Sequence, residues 1–151
     1  MRWRMVDRIA SLEPGVRVVG VKTFPADTFF FRDHLPGMPI VPGVLEIEMI
    51  AQTAFVAIRA ARPGVFGMLT HVRNARFIKS VGPGQECLIT AEITKLRSQF
   101  ALVNGYITVD GVRTADAEIM LAVAPNPEPM PDTGEPREQN HLEACIESAT
   151  K

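Results

Sequence analysis

Cysteine is nearly missing. Cys87 and Cys145 are the only two, which excludes the disulfide framework of a small secreted domain and fits a reduced, cytosolic protein. An excess of charge of one sign is missing too. Sixteen Lys and Arg stand against seventeen Asp and Glu, a formal net charge of −1, so the overall balance points neither to nucleic acid nor to an anionic membrane. No apolar run is long enough to span a membrane, and the start, Met-Arg-Trp-Arg-Met-Val-Asp-Arg, lacks the continuous apolar segment of a signal peptide. A cytoplasmic protein is expected, with neither membrane nor nucleic acid as partner. Cys and His nowhere cluster at metal-ligand spacing, so no metal site is expected.

What is present is apolar content, 46% of 151 residues, enough for one domain with a core of its own. The stretch from Val44 to Arg59 predicts a helix apolar almost all round, and such a helix is buried. Before it, Val16–Phe24 reads as a strand stopped by Pro25, and Phe29, Phe30 and Phe31 either pack at the entrance of the next loop or fill core on both faces. After it, strands are expected at Met68–Phe77, Glu86–Lys95, Phe100–Val109 and Val112–Val123, with Asp110-Gly111 as a two-residue hairpin turn. One long helix followed by an antiparallel meander predicts an α+β domain in which a curved sheet wraps the helix. Composition changes after Ala124, where Pro and Glu accumulate. Residues 1–124 are therefore read as the domain and 125–151 as a Pro/Glu-rich tail, extended except for a short helix over Gln139–Ala149.

Three residues in and beside the helix suggest chemistry. His34 sits in a loop stiffened by Pro36, Pro39 and Pro42, which holds its imidazole in place as a general base requires. Glu48 interrupts the apolar helix, where desolvation would raise its pKa and make it a general acid, with Gln52 one turn on to orient it. Glu46 lies about 200° away around the axis and is read as a first-turn partner of the helix dipole. Gly43, at the helix entry, has a backbone N–H without an intrahelical partner, able to polarise a carbonyl; the alternative is that it only makes the turn. A base, an acid and a carbonyl-polarising donor suit removal of a proton α to a carbonyl with loss of a β-hydroxyl.

The run His34-Leu-Pro-Gly-Met-Pro-Ile-Val-Pro-Gly-Val-Leu-Glu-Ile-Glu-Met-Ile-Ala-Gln52 resembles the signature of the FabZ-type 3-hydroxyacyl-acyl carrier protein dehydratases of the hotdog superfamily. Met5-Val-Asp-Arg-Ile9, Glu13-Pro-Gly15, Ala75-Arg-Phe77 and Val81-Gly-Pro-Gly84 are similar to flanking elements of that family. The resemblance implies a hotdog fold and the formation of trans-2-enoyl thioesters. It assigns His34 the C2 proton, Glu48 the departing hydroxyl, the Gly43 N–H the thioester carbonyl, and Gln52 the orientation of the acid. It further implies no cofactor, a substrate on the phosphopantetheine arm of acyl carrier protein, and homodimers with shared sites, often assembled into hexamers. Arg76 and Lys79 are the residues expected to meet the acidic carrier. Leu35 replaces the family's phenylalanine, Gln85 stands where aspartate is usual, and the family's amino-terminal His-Arg-Tyr-Pro segment has no counterpart in the chain. Two other readings stay open: a hotdog thioesterase or isomerase, and an accessory, non-catalytic subunit that binds acyl chains.

Overall fold

The computed structural model describes residues 3–127 and 139–149. Its strands are β1 (Arg8–Glu13), β2 (Arg17–Thr23), β3 (Val65–Phe77), β4 (Glu86–Leu96), β5 (Phe100–Val109) and β6 (Val112–Pro125); its helices are α1 (Phe29–Asp33), α2 (Gly43–Ala61) and α3 (Gln139–Ala149). All strand pairs are antiparallel, in the order β1-β2-β4-β5-β6-β3. Helix α2 packs against β2, β3, β4, β5 and β6. The sheet wraps the helix, as the sequence predicts.

Only part of the expected meander forms. Strands β4, β5 and β6 follow one another, but β3 lies beyond β6 at the sheet edge, and β2 takes the place beside β4. The connection between Phe77 and Glu86 makes this possible: it carries the chain back across the helix start, bonded at Val41 N–H to Val81 O (2.8 Å) and at Gly84 N–H to Phe24 O (2.9 Å). The β5–β6 hairpin forms at the expected turn, where Asp110 and Gly111 both have positive φ (50° and 76°).

The three phenylalanines belong to a short helix rather than a strand or loop. Successive steps of about 100° around α1 leave Phe29 exposed and bury Phe30 and Phe31. Phe30 then meets Phe24 edge-on at 5.1 Å between ring centroids, a favourable geometry for aromatic quadrupoles.

Helix α2 has two faces. Glu46, Ile50, Thr53 and Ala57, spaced i, i+4, i+7, i+11, are all buried. Ile50 presses into β5, where a Cβ on Gly105 would overlap the Ile50 side chain. The other stripe, Glu48, Gln52, Phe55 and Arg59, is half-buried, and Val44 at its start is exposed. Helix α3 packs against β1 and α2 of its own chain, with Cys145 buried and Ile146 against the core. The boundary expected between residues 124 and 125 falls at the end of β6, and residues 128–138 of the expected tail lie outside the described residues.

Candidate functional site

The loop between α1 and α2 holds His34. Its backbone N–H closes α1 by donating to Phe30 O at 3.0 Å, and its side chain is exposed. Gly37, at φ +78°, makes the following turn, and Met38 N–H donates to Leu35 O at 2.9 Å. The loop is thus fixed at both ends while the imidazole points to solvent.

Gly43 is the first residue of α2, and its N–H meets no acceptor among the described residues. Its φ is not positive, so conformational freedom is not why glycine stands there. The Phe77 ring is: a Cβ at Gly43 would lie 2.9 Å from the ring. Both residues line an open cavity of about 490 Å³ whose other walls include Val41, Val44, Ile78 and Lys79.

One turn along, Glu48 and Gln52 form the pair that the i, i+4 spacing predicts. Gln52 Nε2 donates to Glu48 Oε1 at 2.8 Å, and both residues border a second cavity of about 90 Å³ with Phe55, Gly67, Leu69 and Leu121. Gln52 is itself tied to the start of the chain: Met5 N–H donates to its Oε1 at 3.0 Å, and its Nε2 also donates to Trp3 O at 3.2 Å.

The buried carboxyl of the helix is Glu46, not Glu48. Glu46 is 4% exposed and its Oε1 has no hydrogen-bond partner, so burial pushes its pKa from the usual 4.5 to about 7. The first-turn position was read correctly, but the side chain faces the sheet instead of water. Its neighbour Cys87 is pushed up to about 12, first by burial and then by the charges of Glu46 and Glu86. A thiol so held is inert.

Among the described residues no hydrogen bond or ion pair joins His34 to Glu48, and His34 lines neither of the two cavities just described. The expected carrier residues separate as well. Arg76 is committed to Asp116 through two hydrogen bonds of 2.9 and 2.6 Å, which hold the Asp116 carboxyl below the usual range. Lys79 borders the cavity at Gly43. Gln85, the departure from aspartate, still closes its turn, its Oε1 accepting from Gly82 N–H at 2.7 Å.

The comparisons with known proteins fit this layout. Residues 1–118 match the model of the FabA-like domain. The chain belongs to that family. A 3-hydroxyacyl-[acyl-carrier-protein] dehydratase FabZ of Listeria innocua is 37% identical over 126 residues, 82% of this chain and 88% of that protein. The FabZ of Desulforamulus reducens is 40% identical over 121 residues, covering 79% and 85%. Among solved structures, the dehydratase heterocomplex ApeI:P of Xenorhabdus doucetiae aligns with a TM-score of 0.64 at 17% identity, over 83% of this chain and 85% of that one. A hypothetical thioesterase of Streptococcus pneumoniae with coenzyme A aligns at 0.63 and 13% identity, over 79% and 86%. These likenesses show the hotdog fold, shared by dehydratases and thioesterases.

A helical wheel gives only a partial signal for Glu46: it shares its face with Met49, Ile50 and Thr53, but on a helix apolar almost all round the wheel does not say which face meets the sheet. The contacts of Trp3 and Met5 with Gln52 carried no such signal, because backbone atoms make them.

Proposed function

We propose that this protein dehydrates 3-hydroxyacyl thioesters to trans-2-enoyl thioesters, with the acyl group carried on the phosphopantetheine of an acyl carrier protein in fatty-acid or related acyl-chain synthesis. The observation that carries the reading is the Gln52–Glu48 hydrogen bond on the half-open face of α2, one turn from a helix start whose first N–H is unused. The thioester oxygen accepts a hydrogen bond from Gly43 N–H, and the adjoining helix dipole stabilises the developing enolate. His34 Nε2 or Nδ1 takes the C2 proton. The C3–O bond breaks as Glu48 delivers its proton, and water leaves. The elimination is redox-neutral, so no electron carrier takes part.

His34 and Glu48 act on one substrate when they come from two chains. The exposed imidazole, the half-open stripe of α2 and the uncovered edge of β3 support a homodimer joined along β3. That edge is thirteen residues long and carries the exposed Phe66, Met68, Val72 and Phe77. A long apolar edge of this kind calls for a covering strand. The apolar walls of the cavity at Gly43 suit an acyl chain, and Lys79 at its margin is the better candidate for meeting an acidic carrier, Arg76 being neutralised by Asp116.

The deciding experiment is hydration of trans-2-enoyl thioesters of several lengths, on coenzyme A and on acyl carrier protein. Reversible hydration is expected. Its absence with every chain length and carrier would refute the dehydratase reading and leave a hotdog thioesterase or isomerase, or an accessory, acyl-binding subunit.

A further inference from the structure

The amide of Gln52 links Glu48 to the amino-terminal segment, and its orientation is forced. A backbone N–H only donates, so the atom facing Met5 N at 3.0 Å must be the carboxamide oxygen. Nε2 is thereby turned the other way. Its hydrogens go to Trp3 O at 3.2 Å and to Glu48 Oε1 at 2.8 Å. Glu48 Oε1 is then an acceptor, and since the carbonyl oxygen of a neutral carboxyl accepts better than its hydroxyl, Oε2 is the oxygen that carries the proton. Met5 is 1% exposed, and a buried backbone N–H is rarely left unpaired, so the arrangement resists flipping.

We infer that the Trp3–Met5 backbone is a positioning element for catalysis: by fixing which way the Gln52 carboxamide faces, it selects the Glu48 oxygen that delivers the proton. The inference rests on the dehydratase reading for its catalytic consequence, though not for the hydrogen bonds themselves. Met5 and Trp3 touch no substrate; they act through Gln52. A segment some 47 residues away in sequence thus reaches the proton donor without lying in the site.

The test has a structural arm and a kinetic arm, both on the full chain. In the structural arm, amide hydrogen exchange is followed by NMR in the parent protein and in Gln52→Ala. The Met5 amide is expected to be protected in the parent and to exchange at least about tenfold faster in the variant, as a lost hydrogen bond to a buried amide implies. Protection unchanged by Gln52→Ala overturns the inference, whatever the activity. In the kinetic arm, Gln52→Glu, measured at a pH where the new carboxyl is ionised, still accepts from Met5 N–H but has no hydrogen to give Glu48, so kcat falls about 10-fold to 100-fold with KM nearly constant, the signature of a misplaced catalytic group. Met5→Pro, which deletes the N–H, gives a similar fall, and combining it with Gln52→Ala costs nothing beyond Gln52→Ala alone. Additive losses mean that Met5 acts by another route and refute the proposal. If Met5→Pro does not fold, Gln52→Glu decides the kinetic arm, and a parent-like kcat there refutes it. Protection as expected in a parent protein that hydrates no enoyl thioester would instead refute the dehydratase reading.

Discussion

Replacing Glu46 should stabilise the protein, and only at neutral and alkaline pH. In the unfolded chain this carboxyl titrates near 4.5; in the folded chain burial raises it to about 7. Between those values the native state holds a proton that the unfolded state has released, so stability falls as pH rises. Below about pH 4.5 both states are protonated and the penalty vanishes. Above about pH 7 both are ionised and the penalty is complete. A difference of 2.5 between those two values corresponds to about 3 kcal/mol at 1.36 kcal/mol per unit. The charged Glu46 is opposed by its 4% exposure and its unpartnered Oε1; the helix start offsets part of this, so about 3 kcal/mol is an upper figure. Glu46→Met, of similar length and without polar atoms, removes the penalty. Urea denaturation of parent and variant at pH 4.5 and pH 8, at one protomer concentration, isolates the effect, since titrations not coupled to Glu46 cancel and Cys87, which is coupled to it, stays protonated in the folded protein at both pH values. The variant's advantage should be about 3 kcal/mol larger at pH 8, equivalent to a melting-temperature gain of about 10 °C there. Parallel stability curves, with the difference constant to within about 0.5 kcal/mol, would refute an ionisable buried carboxyl.

Other outcomes follow from the site and the packing. His34→Ala and Glu48→Gln should each be inactive in enoyl-thioester hydration, while co-refolded mixtures regain part of the activity; verified subunit exchange without recovery counts against a site built from two chains. Turnover should follow a bell-shaped pH profile set by one base and one acid, and a flat profile through neutrality, with chemistry rate-limiting, contradicts those roles. Gly105→Ala should cost about 1–3 kcal/mol in urea denaturation, because its Cβ forces Ile50 off the sheet; a loss below about 0.5 kcal/mol would show that α2 has slack there. Lys79→Glu should raise KM for carrier-bound substrate without changing kcat on short coenzyme A thioesters, whereas equal effects on both substrates would remove Lys79 from carrier recognition.

The regular parts of this fold were legible in the sequence because each has a local cause. A run between Gly43 and Pro63 that is apolar almost all round gave α2, and Asp110-Gly111 gave a hairpin whose two turn residues have positive φ. Strand order was not legible, since nothing in Val65–Phe77 says that its partner is β6 rather than β4. The short helix at Phe29–Asp33 was hidden by aromatic residues that favour strands as readily. At the site, the Gln52–Glu48 pair followed from spacing. Which of the two glutamates is desolvated depended on the direction in which the helix faces its sheet, and this the sheet decides.

The two edges of the sheet differ in a way that limits how copies of this protein can assemble. β1 spans six residues, slips register between Ile9 and Ser11, and carries exposed Arg8 and Glu13; short, irregular and charged, it discourages strand addition. β3 has register shifts at Leu69/His71 and Val72/Asn74 and carries Arg73 and Arg76, yet it is more than twice as long, thirteen residues, with exposed Phe66, Met68, Val72 and Phe77 along it. A body with one receptive edge accepts one neighbour, and when two such edges meet antiparallel about a two-fold axis, each uses up the other. Sheet extension then stops at two copies, and a dozen strands form a finite object rather than the first layer of a fibre. Larger assemblies have to be made through other surfaces.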